Sequence, residues 1–221
     1  RLKKAVVVGG GFIGVEMADN LLRANVEVHL VEMADQVLSS MLDPDMAAFV
    51  HAHLRQKGVH LHLGSPVTEF IPDEDKLIVA LDSGSQLEAD AVILAIGVRP
   101  EVELAKAAGL ALGPRGGIAV DEYLRTSDPN IYAIGDAIEV KHLVTGQPTL
   151  IALAGPANKQ GRIVANNIAG RSETYEASQG TAIVDVLGLA AAGTGATSMA
   201  LKRADIPHLS SVIHASSHAS Y

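Results

Sequence analysis

The chain has 221 residues, of which 48% are hydrophobic, 19% charged and 3% aromatic, and 17 basic and 25 acidic side chains give it a net charge of −8. This composition excludes an intrinsically disordered chain and broad nucleic-acid binding, and the lack of cysteine excludes disulfides and thiol nucleophiles within the sequence. The apolar run 91–98 is far shorter than the ~18 residues of a membrane span, and no signal-peptide pattern is present, so we expect a cytoplasmic protein with no membrane or nucleic-acid partner.

The first thirty residues predict a strand, a tight turn, a helix and a second strand. Residues 5–8 form a continuous apolar run with β-branched side chains, as in a strand buried on both faces of a parallel sheet. Apolar residues then recur at helical spacing over 12–22, Asn25 marks the predicted stop, and residues 26–31 return to strand character. These segments predict one βαβ unit.

Further α/β elements are predicted up to residue 112. Asp43-Pro44 predicts the start of a helix that ends at Gly58, with the aspartate capping its free N–H groups. Strands are predicted after this helix, three of them forming a small antiparallel meander separated by turn residues such as Pro72-Asp73. The predicted strands are 59–63, the meander segments 67–71, 77–81 and 86–88, and 91–96. The pattern predicts a doubly wound, dinucleotide-binding α/β domain over residues 1–112.

The remaining sequence has a different character. Short strands and helices alternate there with glycine-rich and polar segments, and the polar stretch 170–180 is a candidate linker. The predicted elements are strands 118–120, 131–133 and 181–187 and helices 156–169 and 198–204.

A glycine-rich turn follows the first predicted strand. Residues 9–14, GGGFIG, match G-x-G-x-x-G. In this motif Gly9 permits the tight turn, Gly11 lets a pyrophosphate approach the backbone and Gly14 lets the helix pack on the strand. The helix N-terminus adds N–H donors and a partial positive charge. The motif predicts a dinucleotide site that includes Phe12 and Ile13; the alternative is a glycine turn without a ligand.

Glu32 supports the dinucleotide hypothesis. It closes the second predicted strand, roughly 20 residues after Gly9, where an acidic side chain binds the adenosine ribose. A carboxylate accepts hydrogen bonds from the 2′- and 3′-hydroxyls but repels a 2′-phosphate, and no Arg or Lys stands between Glu32 and Met41. The sequence therefore predicts NAD(H) in preference to NADP(H).

A second candidate segment covers residues 126–136, TSDPNIYAIGD. Taken alone, it predicts a strand that ends at Gly135 and an acidic turn at Asp136. It resembles the second flavin motif of the pyridine nucleotide–disulfide oxidoreductases, T-x-x-x-x-[IV]-[YF]-A-x-G-D. The resemblance implies that the backbone at Gly135 lies close to FAD and that Asp136 binds its ribityl chain.

Three further segments share this resemblance. The glycine turn and Glu16 are similar to the family's NAD motif, with Glu16 implied near the nicotinamide. Residues 95–100, AIGVRP, resemble a segment whose glycine, here Gly97, closes over the dinucleotide. Residues 153–162, LAGPANKQGR, resemble the flavin-facing helix start of the coenzyme A–disulfide reductase, NADH oxidase and persulfide reductase branch, which implies that Leu153 and Ala154 lie beside the flavin.

The resemblance implies three parts: a Rossmann-like NAD-binding domain with the meander insertion over 1–112, the C-terminal segment of an FAD-binding domain over 113–175, and the start of an α+β dimerisation domain over 176–221. The family's first FAD motif and its redox cysteine have no counterpart here, so we expect an internal piece of a larger flavoenzyme, without catalytic residues or activity of its own. The parent protein is expected to be a homodimer that passes hydride from NADH to FAD and electrons on to a disulfide, persulfide, oxygen or peroxide.

Two other functions stay open. One is a stand-alone NAD-binding or redox-sensing module without flavin. The other is an assembly surface formed by the apolar run 187–193, although a core strand explains this run equally well. The histidines suggest metal ligands at His60 with His62 and, if helical, at His214 with His218, but no acidic or cysteine partner is spaced along the chain to complete either set, so no metal site is predicted.

Overall fold

The computed structural model describes residues 2–214, which contain twelve strands and five α-helices. The strands are β1 (Lys4–Val8), β2 (Glu27–Val31), β3 (His60–His62), β4 (Val67–Asp73), β5 (Lys76–Leu81), β6 (Gln86–Ala89), β7 (Ala91–Leu94), β8 (Ile118–Ala119), β9 (Ile138–Lys141), β10 (Pro148–Thr149), β11 (Ala182–Val186) and β12 (Leu189–Gly193). The helices are α1 (Phe12–Arg23), α2 (Pro44–Gln56), α3 (Glu103–Ala107), α4 (Ala154–Ile168) and α5 (Ser198–Arg203). None of the helices in this part of the chain has the length and apolar character needed to cross a membrane.

Four parallel strands form the central sheet, in the order β3-β2-β1-β7. β1 lies inside the sheet because its apolar run is suited to both faces, and Val6 and Val7 are fully buried. Val8 pairs with Val31 on one side and with Leu94 on the other, so three strands end at one edge. In such sheets, ligands bind outside the carboxyl ends of the strands. The predicted α/β fold is present, and this edge is where its site is expected.

Helices α1 and α2 pack on one face of the sheet, in a core that includes Val28 and Leu30. α2 begins at Pro44 as predicted, but the prediction that Asp43 caps α2 was wrong. The Asp43 carboxylate instead accepts hydrogen bonds from the backbone N–H groups of Ser198 (2.9 Å) and Met199 (3.4 Å) at the start of α5. The Asp43 side chain therefore caps α5, which is far away in sequence, and not α2.

The predicted antiparallel meander, β4-β5-β6, covers the opposite face of the sheet. Pro72 and Asp73 do not form its first turn as predicted but continue β4, and the chain reverses next to Glu74, which has φ +48°. Proline is tolerated there because β4 is an edge strand. The core between sheet and meander consists of Val6, Val31, Val79, Leu81 and Ala89.

A second core lies beyond residue 112, where β9 pairs with β8 in parallel and with β10 in antiparallel fashion. The strand predicted at 131–133 is not formed. Instead, Tyr132 forms a single antiparallel bridge with Arg125. In this bridge, the Ile131 carbonyl accepts from Thr126 N–H (2.9 Å) and Ala133 N–H donates to the Leu124 carbonyl (3.1 Å). β9, which was not predicted from the sequence, is the central strand of this three-stranded sheet. Buried residues of this core are Leu124, Ile138, Val140, Ile163, Val164 and Tyr175.

The candidate linker 170–180 is packed against this second core. Tyr175 is buried, its N–H donates to the Glu122 carbonyl (2.7 Å), and its hydroxyl is hydrogen-bonded to the buried Ser178. This segment is therefore not a flexible linker, because the side chain of Tyr175 is part of the second core.

The hairpin β11-β12 packs on the first core. Val184, Val186 and Ala191 are buried among residues of α1 and α2, and the Leu187 N–H donates to Asp19 Oδ2 (3.2 Å). The apolar run 187–193 therefore includes a core strand, which was one of its two explanations. An additional role of this region in dimerisation stays a prediction.

Candidate functional site

The glycine turn joins β1 to α1 at the carboxyl edge of the sheet. Gly9 has φ +110°, and a Cβ atom there would lie 2.2 Å from the Ala95 carbonyl oxygen. A Cβ on Gly14 would lie 1.8 Å from the Gly9 carbonyl oxygen. The helix can pack this closely on the strand only if both residues are glycine. Around Gly11, by contrast, no atom lies within 4 Å of an added Cβ.

The start of α1 is suited to an anion. Gly11 is its N-cap, no side chain of the described residues caps this end, and the first turn carries no acidic residue. The N–H groups of Phe12 and Ile13 have no acceptor within the helix, and the helix dipole makes this end positive. Open space at Gly11 and exposed donors fit the pyrophosphate of a dinucleotide. Phe12 packs partly into the first core, and Ile13 is exposed.

Glu32 follows β2 directly, and its carboxylate points back to the glycine turn. Oε2 accepts a hydrogen bond from Gly10 N–H (2.6 Å), and Oε1 accepts one from Ala34 N–H (2.8 Å). This structural role was not predicted from the sequence. Since each carboxylate oxygen has a second lone pair, both remain able to accept hydrogen bonds from hydroxyls. A negative charge is thereby fixed beside the turn.

The third predicted contact, Gly97, follows β7 with φ +105° and nothing within 4 Å of an added Cβ. Its neighbours Ile96 and Val98 are both exposed. The close approach of Gly9 to Ala95 brings this segment beside the glycine turn, and the closing of Gly97 over a dinucleotide stays a prediction. Glu16 is exposed on α1, one helical turn after Phe12.

Gly135 and Asp136 lie in a 3₁₀ turn, Gly135–Ala137, and not at the end of a strand as predicted. Gly135 has φ +79°, and its N–H donates to Gln160 Oε1 at 2.8 Å. Gln160, on α4, is 2% exposed, so one buried amide fixes the turn against the helix. Gln160 was not identified from the sequence, although a polar residue on the apolar face of a predicted helix was an available signal.

The start of α4 lies against this turn. Leu153 is the N-cap and Ala154 the first helical residue, and this end has neither an acidic first turn nor a side-chain cap within the described residues. Asp136 and Ala154 line the same open cleft, with a volume of about 690 Å³. The apolar side chain of Ile134 also contributes to its wall. An apolar wall, a hydroxyl acceptor and a positive helix end fit one side of a flavin.

Residues 1–161, which include both turns and the start of α4, match the family model described as pyridine nucleotide-disulphide oxidoreductase. The chain belongs to this family. The family resemblance stated from the sequence motifs is thereby confirmed.

Relatives with high similarity carry related names. The chain is 40% identical to an "NADH oxidase" of Methanocaldococcus jannaschii, with 93% of this chain and 45% of the relative covered. Among solved structures, reduced CoADR-RHD of Bacillus anthracis has a TM-score of 0.89 and 50% identity, covering 93% of this chain and 37% of that one. An NAD-dependent persulfide reductase from A. fulgidus has a TM-score of 0.90 and 42% identity, covering 92% and 38%.

These matches also confirm the α/β architecture of the family. The chain spans about half the length, or less, of the relatives it matches.

A polar cluster of Glu27, His29, His60 and His62 lies on one face of β2 and β3. His29 and His60 are register partners with ring centroids 4.5 Å apart. His29 Nδ1 lies 3.0 Å from His62 Nε2, and His29 Nε2 lies 3.1 Å from Glu27 Oε1. Burial lowers the pKa of His29 and of His62. The partners of His60 and His62 lie on the neighbouring strand β2 and not nearby along the chain, so the spacing of residues could not predict them.

Proposed function

We propose that this chain binds NADH at the turn of Gly9, Gly11 and Gly14 and forms part of an FAD-dependent oxidoreductase. The observation that carries this proposal is the open backbone at Gly11, in front of an uncapped helix and beside the fixed carboxylate of Glu32. The names of two relatives, an NADH oxidase and an NAD-dependent persulfide reductase, support it. When bound, NADH and FAD would together supply hydride-transfer chemistry.

The residues around the glycine turn would orient the nucleotide. The free N–H groups at the start of α1 would hold the pyrophosphate, and Glu32 would accept hydrogen bonds from the adenosine ribose. Gly97 would let the backbone after β7 approach the dinucleotide, and Glu16 would lie on the nicotinamide side. Phe12 and Ile13 would shape the wall at the helix start.

NADH is preferred over NADPH in this proposal because of electrostatics. Glu32 holds a negative charge at the site where the ribose would lie, and no basic residue follows it before Met41. A 2′-phosphate placed there would face a carboxylate without a compensating cation. Repulsion between these two anions disfavours NADPH.

The second turn would hold part of the flavin. Asp136 would accept a hydrogen bond from a ribityl hydroxyl, and the backbone at Gly135 would allow close approach. The helix end at Leu153 and Ala154 would favour negative charge on the pyrimidine side of the flavin. The electron acceptor would be a disulfide, persulfide, oxygen or peroxide, and the parent protein a homodimer. A reactive thiol would come from outside this sequence, which has no cysteine.

Substitution of Glu32 tests the NADH assignment. We expect Glu32→Ala to weaken NADH binding by about 1–2 kcal/mol, through the lost hydroxyl hydrogen bonds, and to reduce the discrimination against NADPH. Fluorescence titration with both nucleotides measures this, and circular dichroism monitors the fold. Glu69→Gln, on β4, is the control that removes one acidic charge elsewhere. A preference of the unmodified chain for NADPH contradicts the proposal.

A further inference from the structure

The cluster on β2 and β3 contains the donor set of a transition-metal site. Glu27 and His29 are alternate residues of β2, and His60 pairs with His29 on the adjacent β3, so their side chains share one face of the sheet. One ligand atom from each of these three residues lies within 4.8 Å of the other two. Two imidazoles and one carboxylate are ligands that suit Zn²⁺.

The distances between donor atoms are compatible with tetrahedral zinc. Glu27 Oε1 lies 3.1 Å from His29 Nε2 and 3.9 Å from His60 Nε2. Two ligands about 2.0–2.1 Å from a tetrahedral ion are about 3.3–3.4 Å apart, a value between these two distances. We propose that Glu27, His29 and His60 form a zinc-binding site with an open fourth position for water.

The surroundings of His29 support this role. Its side chain is only 13% exposed, whereas those of Glu27 and His60 are 44% and 55% exposed, so one ligand is held by the sheet and the ion can enter from solvent. The Nδ1 atom of His29 lies 3.0 Å from His62 Nε2. A hydrogen bond from His29 Nδ1–H to His62 would leave Nε2 free to bind the ion, as partners of metal-ligating histidines commonly do.

Metal binding requires two local changes. Lys4 Nζ lies 3.0 Å from Glu27 Oε1 and has to release it, because the ammonium and the ion compete for the same oxygen. The rings of His29 and His60 are nearly parallel, with an interplanar angle of 18°. Rotation of the exposed His60 ring about its Cβ–Cγ bond, with His29 kept in place by His62, would turn His60 Nε2 toward Glu27 and His29 Nε2.

The proposed zinc site is separate from the nucleotide site. Along the extended chain, His29 lies about 10 Å and Glu27 about 16 Å from Glu32, which follows β2. Zinc binding does not depend on the glycine turn, so its test is independent of the proposed NADH function.

Isothermal titration calorimetry with Zn²⁺ on the tag-free chain tests the site, and Co²⁺ absorption reports its geometry. We expect one equivalent of Zn²⁺ to bind and a tetrahedral Co²⁺ spectrum. His60→Ala and Glu27→Gln should each weaken binding at least about tenfold. His60 is exposed, so its replacement keeps the test valid if a variant of the more buried His29 misfolds. Lys4→Gln removes the competing cation and should tighten binding.

A double variant provides the matched control. His214→Ala with His218→Ala removes the other histidine pair suggested by the sequence, of which His218 lies outside the described residues. Its zinc affinity should equal that of the unmodified chain. The proposal is overturned if zinc does not bind, if His60→Ala and Glu27→Gln leave the affinity unchanged, or if the control variant loses the binding.

Discussion

The NAD-side turn and the flavin-side turn are both glycine turns beside a helix start, but they are fixed in different ways. At residues 9–14 the backbone is held by contact, since added Cβ atoms at Gly9 and Gly14 would collide with backbone oxygens. At Gly135 the nearest atom to an added Cβ is 4.0 Å away, and the hydrogen bond that Gly135 N–H donates to Gln160 Oε1 holds the turn. The first turn is therefore fixed by close packing in addition to the Gly10–Glu32 hydrogen bond, whereas packing at Gly135 is loose and the hydrogen bond to Gln160 holds the turn.

This difference bears on what each turn can do. The NAD-side turn lies where three paired strands end, beside the carboxylate of Glu32, so a ligand would meet a preorganised surface. The flavin-side cleft is open to solvent and is lined on one side by the turn and by α4. A preorganised site loses less free energy on binding than one that must be completed.

The largest expected effect is a difference between the two cofactors in their binding to this chain. We predict that this chain alone binds NADH weakly, is purified without colour and shows no NADH-dependent disulfide reduction. One wall of the cleft is insufficient to offset the entropy lost when FAD is immobilised, and the sequence supplies no thiol. Absorbance of the purified chain and NADH titration measure these properties. Stoichiometric yellow FAD, or NADH turnover with a disulfide, contradicts the prediction.

Two glycine substitutions in the NAD-side turn should have opposite consequences. Gly14→Ala puts a methyl group 1.8 Å from the Gly9 carbonyl oxygen, so the helix must move and the free energy of unfolding should fall by about 3 kcal/mol or more. Gly11→Val has space, so the fold should remain while NADH binding falls by about 3 kcal/mol, roughly 100-fold. Thermal unfolding and nucleotide titration measure the two effects.

These two variants serve as controls for each other. If Gly11→Val keeps both its fold and its NADH affinity, the nucleotide binds elsewhere. If Gly14→Ala is as stable as the unmodified chain, close packing does not fix this turn, and the contrast with Gly135 is lost.

A contrast between local and long-range contacts explains which features could be predicted from the sequence. The valine run of β1, the glycine spacing and the helical pattern of α1 are local, so the fold of this unit and the position of Glu32 followed from neighbouring residues. Gln160, Asp43 and the pair His29–His60 act on partners far away in sequence, which no local pattern encodes. The error at 131–133 has a different origin, because this segment pairs only with the nearby residues 124–126, through a single antiparallel bridge that is too short to be a strand.

A smaller effect is expected at the flavin-side turn. Gln160→Leu leaves the Gly135 N–H without its buried acceptor, and the free energy of unfolding should fall by about 1–3 kcal/mol. Urea unfolding of this variant measures the loss, with the exposed neighbour Lys159→Gln as the control. Equal stability of both variants shows that the turn is held by other contacts.

The smallest effect should appear as a pH dependence on the NAD side of the molecule. Asp90 Oδ1 lies 2.6 Å from Lys76 Nζ, and Oδ2 accepts from Lys3 N–H (2.7 Å) and Lys4 N–H (2.9 Å) at the start of β1. The Lys76 ammonium, together with these N–H donors, holds the pKa of Asp90 well below its ordinary value of 3.8. The unfolded chain therefore takes up this proton first as the pH falls.

It follows that the carboxylate contributes to stability above about pH 4 and that this contribution is lost as the solution becomes more acidic. Asp90→Asn should have a lower urea midpoint than the unmodified chain at pH 7, and the difference should shrink as the pH decreases below about 4. Asp75→Asn, in the turn between β4 and β5, removes the same charge at an exposed position and should show a smaller change at every pH. A difference between Asp90→Asn and the unmodified chain that stays constant with pH contradicts this account, because the effect would then come from packing and not from the charge of Asp90.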